Sequence, residues 1–219
     1  MMVSSRQSGL AVLAFLAFGL GGCATVAPYD YTAFRLSPPR SILILPPLNE
    51  SIAVEGTYSY LSTVSAPVAE RGYYVFPVMV VDQLLKENGM PTAGEMHQVA
   101  LDKVREVTGA DAVLFATVHE YGSKFQLIST NTTVRVSARL LDTRTGILLW
   151  EGSGFAQQSS SNGSQGLLEA IVSAVVTQIF SSKTDPGRQV SRLANVQLFT
   201  TKGRELPFGP YHIESAKPP

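Results

Sequence analysis

The chain has 219 residues, 45% of them hydrophobic, with 17 Lys plus Arg balanced by 17 Asp plus Glu and a single cysteine. That length and apolar content suit one domain of ordinary size with tails. The zero net charge argues against a nucleic-acid binder or a protein that coats anionic lipid by charge, and one cysteine excludes an internal disulfide.

The first residues carry Arg6, then an apolar run over 10–18, then small residues. The run is too short to span a bilayer as a permanent helix and has the build of a secretory signal. It closes on Leu20-Gly21-Gly22-Cys23, which resembles the lipobox of bacterial lipoproteins. The resemblance implies cleavage before Cys23, diacylation of its sulfur and acylation of the new amine. Two or more acyl chains anchor stably where one is marginal, at about 0.8 kcal/mol per buried methylene. An ordinary cleaved signal with a chance cysteine, or a buried core cysteine, is the alternative. Ala24 stands where an aspartate would resemble the inner-membrane retention signal, which implies the outer membrane, with the body in the periplasm.

Residues 24–39 read as a tether, with Pro28, Pro38 and Pro39 and no sustained period. As a coil it would span about 20–25 Å and lift the body off the headgroups. Tyr29, Tyr31 and Phe34 lie in it, to dock on the body or to sit in the interface. Residues 41–46 are a short apolar run stopped by Pro46-Pro47, as in a strand buried on both faces. Residues 48–56 read as a loop. Tyr58, Leu61, Val64 and Val68 have helical spacing, and Pro67 is expected to end or kink that helix. Residues 73–76 are a second strand.

Pro77 opens a helix carrying Val81, Leu84 and Leu85 and ended at Gly89. Thr92-Ala-Gly-Glu95 is a capping box, opening a helix with Met96, Val99, Ala100, Val104 and Val107 on one face and Gly109 at its end. Residues 112–118 are apolar on both alternations and read as a central strand. The order so far predicts an α/β domain with helices covering a sheet. After Gly122, Lys124, Phe125, Gln126 and Leu127 alternate as a separate, half-covered strand. Val134, Val136, Ala138 and Leu140 then face one way, and Thr133, Arg135, Ser137 and Arg139 the other. Asp142 and Thr145 form a turn with Gly146 at a positive-φ position, and residues 147–150 return, giving an antiparallel meander. Residues 157–163 read as a serine-rich loop. Leu168, Ile171, Val172, Val175, Val176 and Ile179 trace the clearest amphipathic helix. Asp185-Pro186 opens a weaker one with Val190, Leu193 and Ala194. Residues 207–211 are turn-rich, and 216–219 are expected to be disordered.

One segment carries a second resemblance. Leu140-Leu-Asp142-x-x-Thr145-Gly146-x-x-Leu149-Trp150 after an alternating strand is similar to a hairpin shared by the N-terminal domain of the TolB translocation protein, the LpoB activator of penicillin-binding proteins and the curli secretion lipoprotein CsgG. The early proline-stopped strand and Gly109-Ala-Asp-Ala-Val113 fit the same group. The mature chain, with Pro-Pro-Leu-Asn-Glu-Ser after its first strand and a Gly-Pro-Tyr tail, resembles a family of bacterial lipoproteins associated with curli-secretion-like lipoproteins. The resemblance implies an α/β, TolB-N-like domain made of a mixed sheet, an antiparallel meander and packed helices. It implies binding of other envelope proteins rather than chemistry. The sequence has no evident long strand-forming insert, which argues against pore formation.

The expected organisation is a signal peptide over 1–22, an acylated N-terminus and tether over 23–39, an α/β domain over 40–205 and a turn-rich tail over 206–219. The expected site residues are Cys23 for the lipid, Leu20, Gly21 and Gly22 for the lipobox, and Asn49, Glu50 and Ser51 as a partner or ligand loop beyond the first strand; a solvated turn with local caps is the plainer reading of that loop. No cofactor is expected apart from the covalent lipid. His97, His119 and His212 have no second ligand at metal spacing, and no nucleophile elbow, P-loop or dinucleotide fingerprint is present. Gly152-x-Gly154 reads as a strand end, Trp150 as packing, and Arg135 with Arg139 as a solvated or partner-facing row. The function read from this is an outer-membrane-anchored accessory factor in envelope assembly, transport or secretion. Its partners would be the membrane, through the lipid, and envelope proteins such as a curli-secretion-like lipoprotein, with a homodimer through an exposed strand edge or helix face and no nucleic acid. The alternative is a regulator of a cell-wall synthesis enzyme. A hydrolase using His119 with Glu120 is the remote third, since adjacent strand residues point to opposite faces.

Overall fold

The computed structural model describes residues 28–126, 129–161 and 186–216. The signal, lipobox, Cys23 and the 168–179 helix of the sequence reading lie outside the described residues. Six strands form one mixed sheet: β1 (Ser41–Ile44), β2 (Leu48–Asn49), β3 (Tyr74–Val75), β4 (Ala112–Gln126), β5 (Ser129–Asp142) and β6 (Leu148–Ser161). The order is β3-β1-β4-β5-β6, with β2 also on β4. The pairs of β1 with β3, β1 with β4 and β2 with β4 are parallel, and β4-β5-β6 is the antiparallel meander.

The helices are α1 (Thr32–Leu36), α2 (Gly56–Glu70), α3 (Val78–Glu87), α4 (Ala93–Met96), α5 (Leu101–Thr108) and α6 (Pro186–Thr200). Ile42, Ile44, Leu114, Val118, Val136 and Leu140 face α2 and α6 in one core; Leu43, Leu45, Val113 and Phe115 face Val81, Leu85, Met96 and Val104 in a second. That is why residues 42–46 and 112–116 are apolar at every position: both runs are covered on both faces. Along β5 the apolar Val134, Val136, Ala138 and Leu140 are buried, and Arg135 and Arg139 face solvent.

Several elements differ from the sequence expectation for physical reasons. Pro67 lies within the last turn of α2 and does not end it, because so near the end its missing amide removes one ladder bond with little helix beyond it. The capping box at Thr92 forms in full, yet α4 stops at Met96 and α5 begins at Leu101, with Ala100 extended at φ −68° and ψ 123°. In the gap, His97 Nε2 meets the Pro46 carbonyl at 2.9 Å. Val107 is consequently 66% exposed. Gly122, at φ +109°, lies inside β4 and does not divide it. Residues 157–161 belong to β6, paired with β5 from Thr133↔Gln157 to Ser129↔Ser161; ladder bonds are made by backbone and ignore serine content.

The described part of the stretch read as a tether is docked. Phe34 of α1 is buried, Tyr31 donates to the Glu205 carbonyl at 2.7 Å, and the Tyr29 hydroxyl accepts from the Glu151 amide at 3.0 Å. The C-terminal tail is docked beside it. Arg71 donates to the carbonyls of Leu206 and Phe199 at 2.9 and 2.6 Å, and Tyr73 to that of Pro207 at 2.6 Å. Ala216 closes a short 3-10 turn begun at Ile213.

Candidate functional site

The stretch read as a loop over 48–56 opens with β2, which includes Asn49 and pairs it with Val118, because its backbone extends the parallel edge of β4, and the three expected residues divide between two tasks. Asn49 and Ser51 fold the loop on itself: Asn49 Nδ2 donates to the Ala53 carbonyl at 2.7 Å, and the Ser51 amide and hydroxyl donate to Asn49 Oδ1 at 3.0 and 2.7 Å. Glu50 alone looks outward. Its amide donates to the Val118 carbonyl at 2.9 Å, and its carboxylate meets His119 Nδ1 at 2.6 Å. His119 Nε2 is 2.8 Å from Ser137 Oγ. A carboxylate only accepts, so in the neutral ring Nδ1 carries the proton and Nε2 accepts from the Ser137 hydroxyl.

A β-bulge builds this line. The register of β4 on β5 shifts between Val118 and Glu120, leaving His119 as the extra residue. The sequence expectation that His119 and Glu120 face opposite ways is thereby overturned. His119 reaches Ser137, and Glu120 reaches Arg135 at 3.1 Å on the same solvent-facing side. The Arg135 guanidinium also lies 4.6 Å from the centre of the Phe155 ring.

Carboxylate, imidazole and hydroxyl stand in the order of a nucleophilic relay. The surrounding backbone does not complete one. Ser137 pairs with Thr117 on one side and Ser153 on the other, so the amides of this central strand are committed to ladders. Loss of a single oxyanion donor costs an enzyme about 10²–10³ in rate, and β5 itself offers no free amide pair beside Ser137. The geometry instead fixes the loop to the sheet. Beside it runs a groove of about 290 Å³ lined by His97, Phe115, Thr117, Ser137, Arg139 and Glu151. His97 stands edge-on to Phe115 at 5.2 Å. Burial holds its pKa below the ordinary imidazole value, and Arg139 pushes the same way, against the Pro46 hydrogen bond.

Other singled-out residues are structural. Trp150 is fully buried, stacks on Phe199 and donates to the Arg204 carbonyl at 2.9 Å. Asp142 caps its turn by accepting from the amides of Arg144 and Thr145, both at 2.8 Å, and Gly146 has φ +70°. Gly152 and Gly154 are more than a strand end: a Cβ on Gly154 would stand 2.1 Å from the Ala194 carbonyl oxygen of α6. His212 stacks on Phe208 in the tail. Among the described residues no group of three or more His, Cys, Asp or Glu could hold a metal, and no helix is long and apolar enough to cross a membrane. A second, larger groove of about 730 Å³ lies where the two chain ends meet, lined chiefly by Pro28, Tyr29, Phe34, Arg35, Pro38 and Pro207. Sequence reasoning missed it, because neither end shows a periodic signal and the groove exists only where they are brought together.

Against known proteins, the family model described as "Putative lipoprotein GNA1162-like" matches residues 29–211. The protein named "Putative lipoprotein NMB1124/NMB1162" from Neisseria meningitidis serogroup B is 46% identical over 191 residues, covering 87% of this chain and 89% of its own length. The crystal structure of lipoprotein GNA1162 from Neisseria meningitidis aligns over 66% of this chain and all of its own, with 49% identity and a TM-score of 0.55. The LpoB C-terminal domain from Salmonella enterica aligns over 55% of this chain and 84% of its own at 16% identity and a TM-score of 0.39, a likeness too slight to argue from.

Proposed function

The chain belongs to the GNA1162-like lipoprotein family, and on that premise we propose that it is an outer-membrane lipoprotein, acylated on Cys23, whose body binds other envelope proteins from the periplasmic side. Its work is that of an accessory factor in envelope assembly, transport or secretion, and a curli-secretion-like lipoprotein is the kind of partner it would hold. The observation that carries this reading is the position of Leu20-Gly21-Gly22-Cys23, a processing signal placed just before the residues matched by the family model. Holding partners at one surface raises their effective concentration without new contacts.

The open face of the meander supplies a surface for such a partner. Arg135, Arg139 and Phe155 are exposed there, an arginine-and-aromatic composition that is enriched at protein interfaces. Palmitate labelling of the wild type, absent in Cys23→Ser, is the expected result, together with flotation in the outer-membrane fraction. Label that survives the substitution overturns the anchor. Cross-linking in intact envelopes through Phe155 is expected to capture an envelope protein; capture of a cell-wall synthase as the principal neighbour would replace the secretion reading with the regulatory one.

A further inference from the structure

We infer that the end of the body built from residues 28–40 and the C-terminal tail rests against the phospholipid leaflet instead of being held away from it. This rests on the acylation of Cys23 proposed above. The first argument is reach. The stretch that reads as a sixteen-residue spacer is docked onto the body from Tyr29 onward, through Tyr29, Tyr31 and Phe34. Only residues 24–27 separate Cys23 from Pro28. A chain advances at most about 3.6 Å per residue, so Pro28 lies within about 18 Å of the lipidated residue whatever those residues do.

The second argument is chemistry at that end. The open groove is walled mainly by proline and aromatic rings, with Arg35 at its edge. Leu36, the next residue, is 82% exposed. Three exposed arginines belong to this end of the body. Arg35 lies on the groove, Arg204 stands 5.0 Å from the centre of the Tyr29 ring, and Arg40 stands over Tyr211 and donates to its hydroxyl at 3.4 Å. Carboxylates share the region too: Asp30 is turned back on the Thr32 amide, Glu205 lines the groove, Asp111 accepts from the Arg40 amide, Asp142 from the Ser37 hydroxyl, Glu151 neighbours Tyr29, and Glu214 is exposed in the tail. Aromatic rings with arginines that keep apolar stems down and guanidinium heads at phosphate level are the composition of a membrane interface.

The third argument is direction. Ser37, just past α1, donates to Asp142 at the end of β5. The opposite end of that 14-residue strand is about 45 Å away along the chain at 3.3 Å per residue. With α1 seated on lipid, the Ser129 end of β5 is the part of that strand farthest along the chain from the seated end.

The test uses full-length, acylated protein in phosphatidylethanolamine–phosphatidylglycerol vesicles. A fluorophore is placed through Leu36→Cys in one sample and Gln157→Cys in another, and a headgroup-borne nitroxide lipid serves as quencher. Strong quenching at the first site and none at the second is expected. Adding Arg35→Glu and Arg40→Glu to Leu36→Cys is expected to weaken the quenching. Absent quenching at both sites in protein that still floats with the vesicles overturns this inference and leaves the Cys23 reading standing, with the groove then open to a protein partner. Protein that does not float at all overturns both. Quenching unmoved by the glutamates overturns the arginine–headgroup contact.

Discussion

Asp142 shows how much one side chain can hold. Its carboxylate accepts from the Ser37 hydroxyl, the Arg144 amide, and the amide and hydroxyl of Thr145. Burial alone would raise its pKa; the combined hydrogen bonds outweigh that and hold it below the ordinary carboxylate value. Asp142→Ala leaves those donors without their partner, so a loss of about 1–3 kcal/mol in denaturant-derived stability is expected. The linked pH effect has a definite sign. A depressed carboxyl pKa contributes stability that is present above the unfolded value of about 3.9 and lost as pH falls through the folded one. His97 acts in a higher window. Its folded pKa is lowered by burial, so the unfolded chain takes up a proton first on acidification. Stability is then full above about pH 6.5 and declines below it toward the folded value. Stability measured across that window is expected to fall less steeply in His97→Gln than in the wild type. Both residues are visible in sequence, but only Asp142 was readable, since its turn is local, whereas His97 takes its meaning from Pro46 and Arg139, far along the chain.

At the scale of elements, the packing of α6 on β6 depends on what β6 lacks. Gly152 and Gly154 present bare backbone to the helix, and a Cβ on Gly154 would meet the Ala194 carbonyl oxygen at 2.1 Å and Leu198 Cβ at 2.9 Å. Backbone on both sides cannot step aside as a flexible side chain would. Gly154→Ala is expected to cost about 1–3 kcal/mol in thermal or denaturant unfolding, in the range of core overpacking. Gly94→Ala is the control, because an added Cβ there finds only the Thr92 hydroxyl, at 3.8 Å. The strands and helices with regular periods were legible: the capping box, the two-sided strand at 112–118 and the Asp142 hairpin all follow from local rules. The length of the meander was not. Residues 129–133 and 157–161 are almost wholly polar, and a strand without apolar alternation has nothing in its sequence to announce it. The bulge at His119 was equally silent, because an extra residue on one strand is defined by its partner. The open edge of β6 is also partly closed, for the Glu151 amide is taken by the Tyr29 hydroxyl and the Phe155 amide by Gln197 Oε1 at 2.6 Å. Side-chain plugs of this kind discourage edge-to-edge pairing, so a self-association through this edge would have to use its outer part.

Across the described residues, 28–40 and 205–216 are one structural unit, and this explains why neither segment can be treated as a loose appendage. The tail from Glu205 onward supplies the acceptors for Tyr31, Tyr73 and one side of Arg71, and Leu206 is fully buried in the first core. The Gly209 and Tyr211 amides bond the carbonyls of Arg71 and Gly72, which anchors the tail at the turn between α2 and β3. Removing residues 205–219 therefore takes away a core leucine and leaves the buried Tyr73 hydroxyl and the half-buried Tyr31 and Arg71 without those acceptors, the buried one alone worth about 1–3 kcal/mol. A truncated protein is expected to lose about 3 kcal/mol or more and to melt in one cooperative step, because the tail belongs to the core that α2 and α6 share. A truncation that shifted only a small, separate early transition, with the main melting temperature unchanged, would show that the tail is an add-on. The same dependence has a positional consequence. If the docked tail and the docked N-terminal segment hold each other, loss of the tail frees the residues after Cys23 to act as a long spacer. In vesicles, the truncated protein is then expected to keep its lipid anchor and lose the quenching at Leu36→Cys.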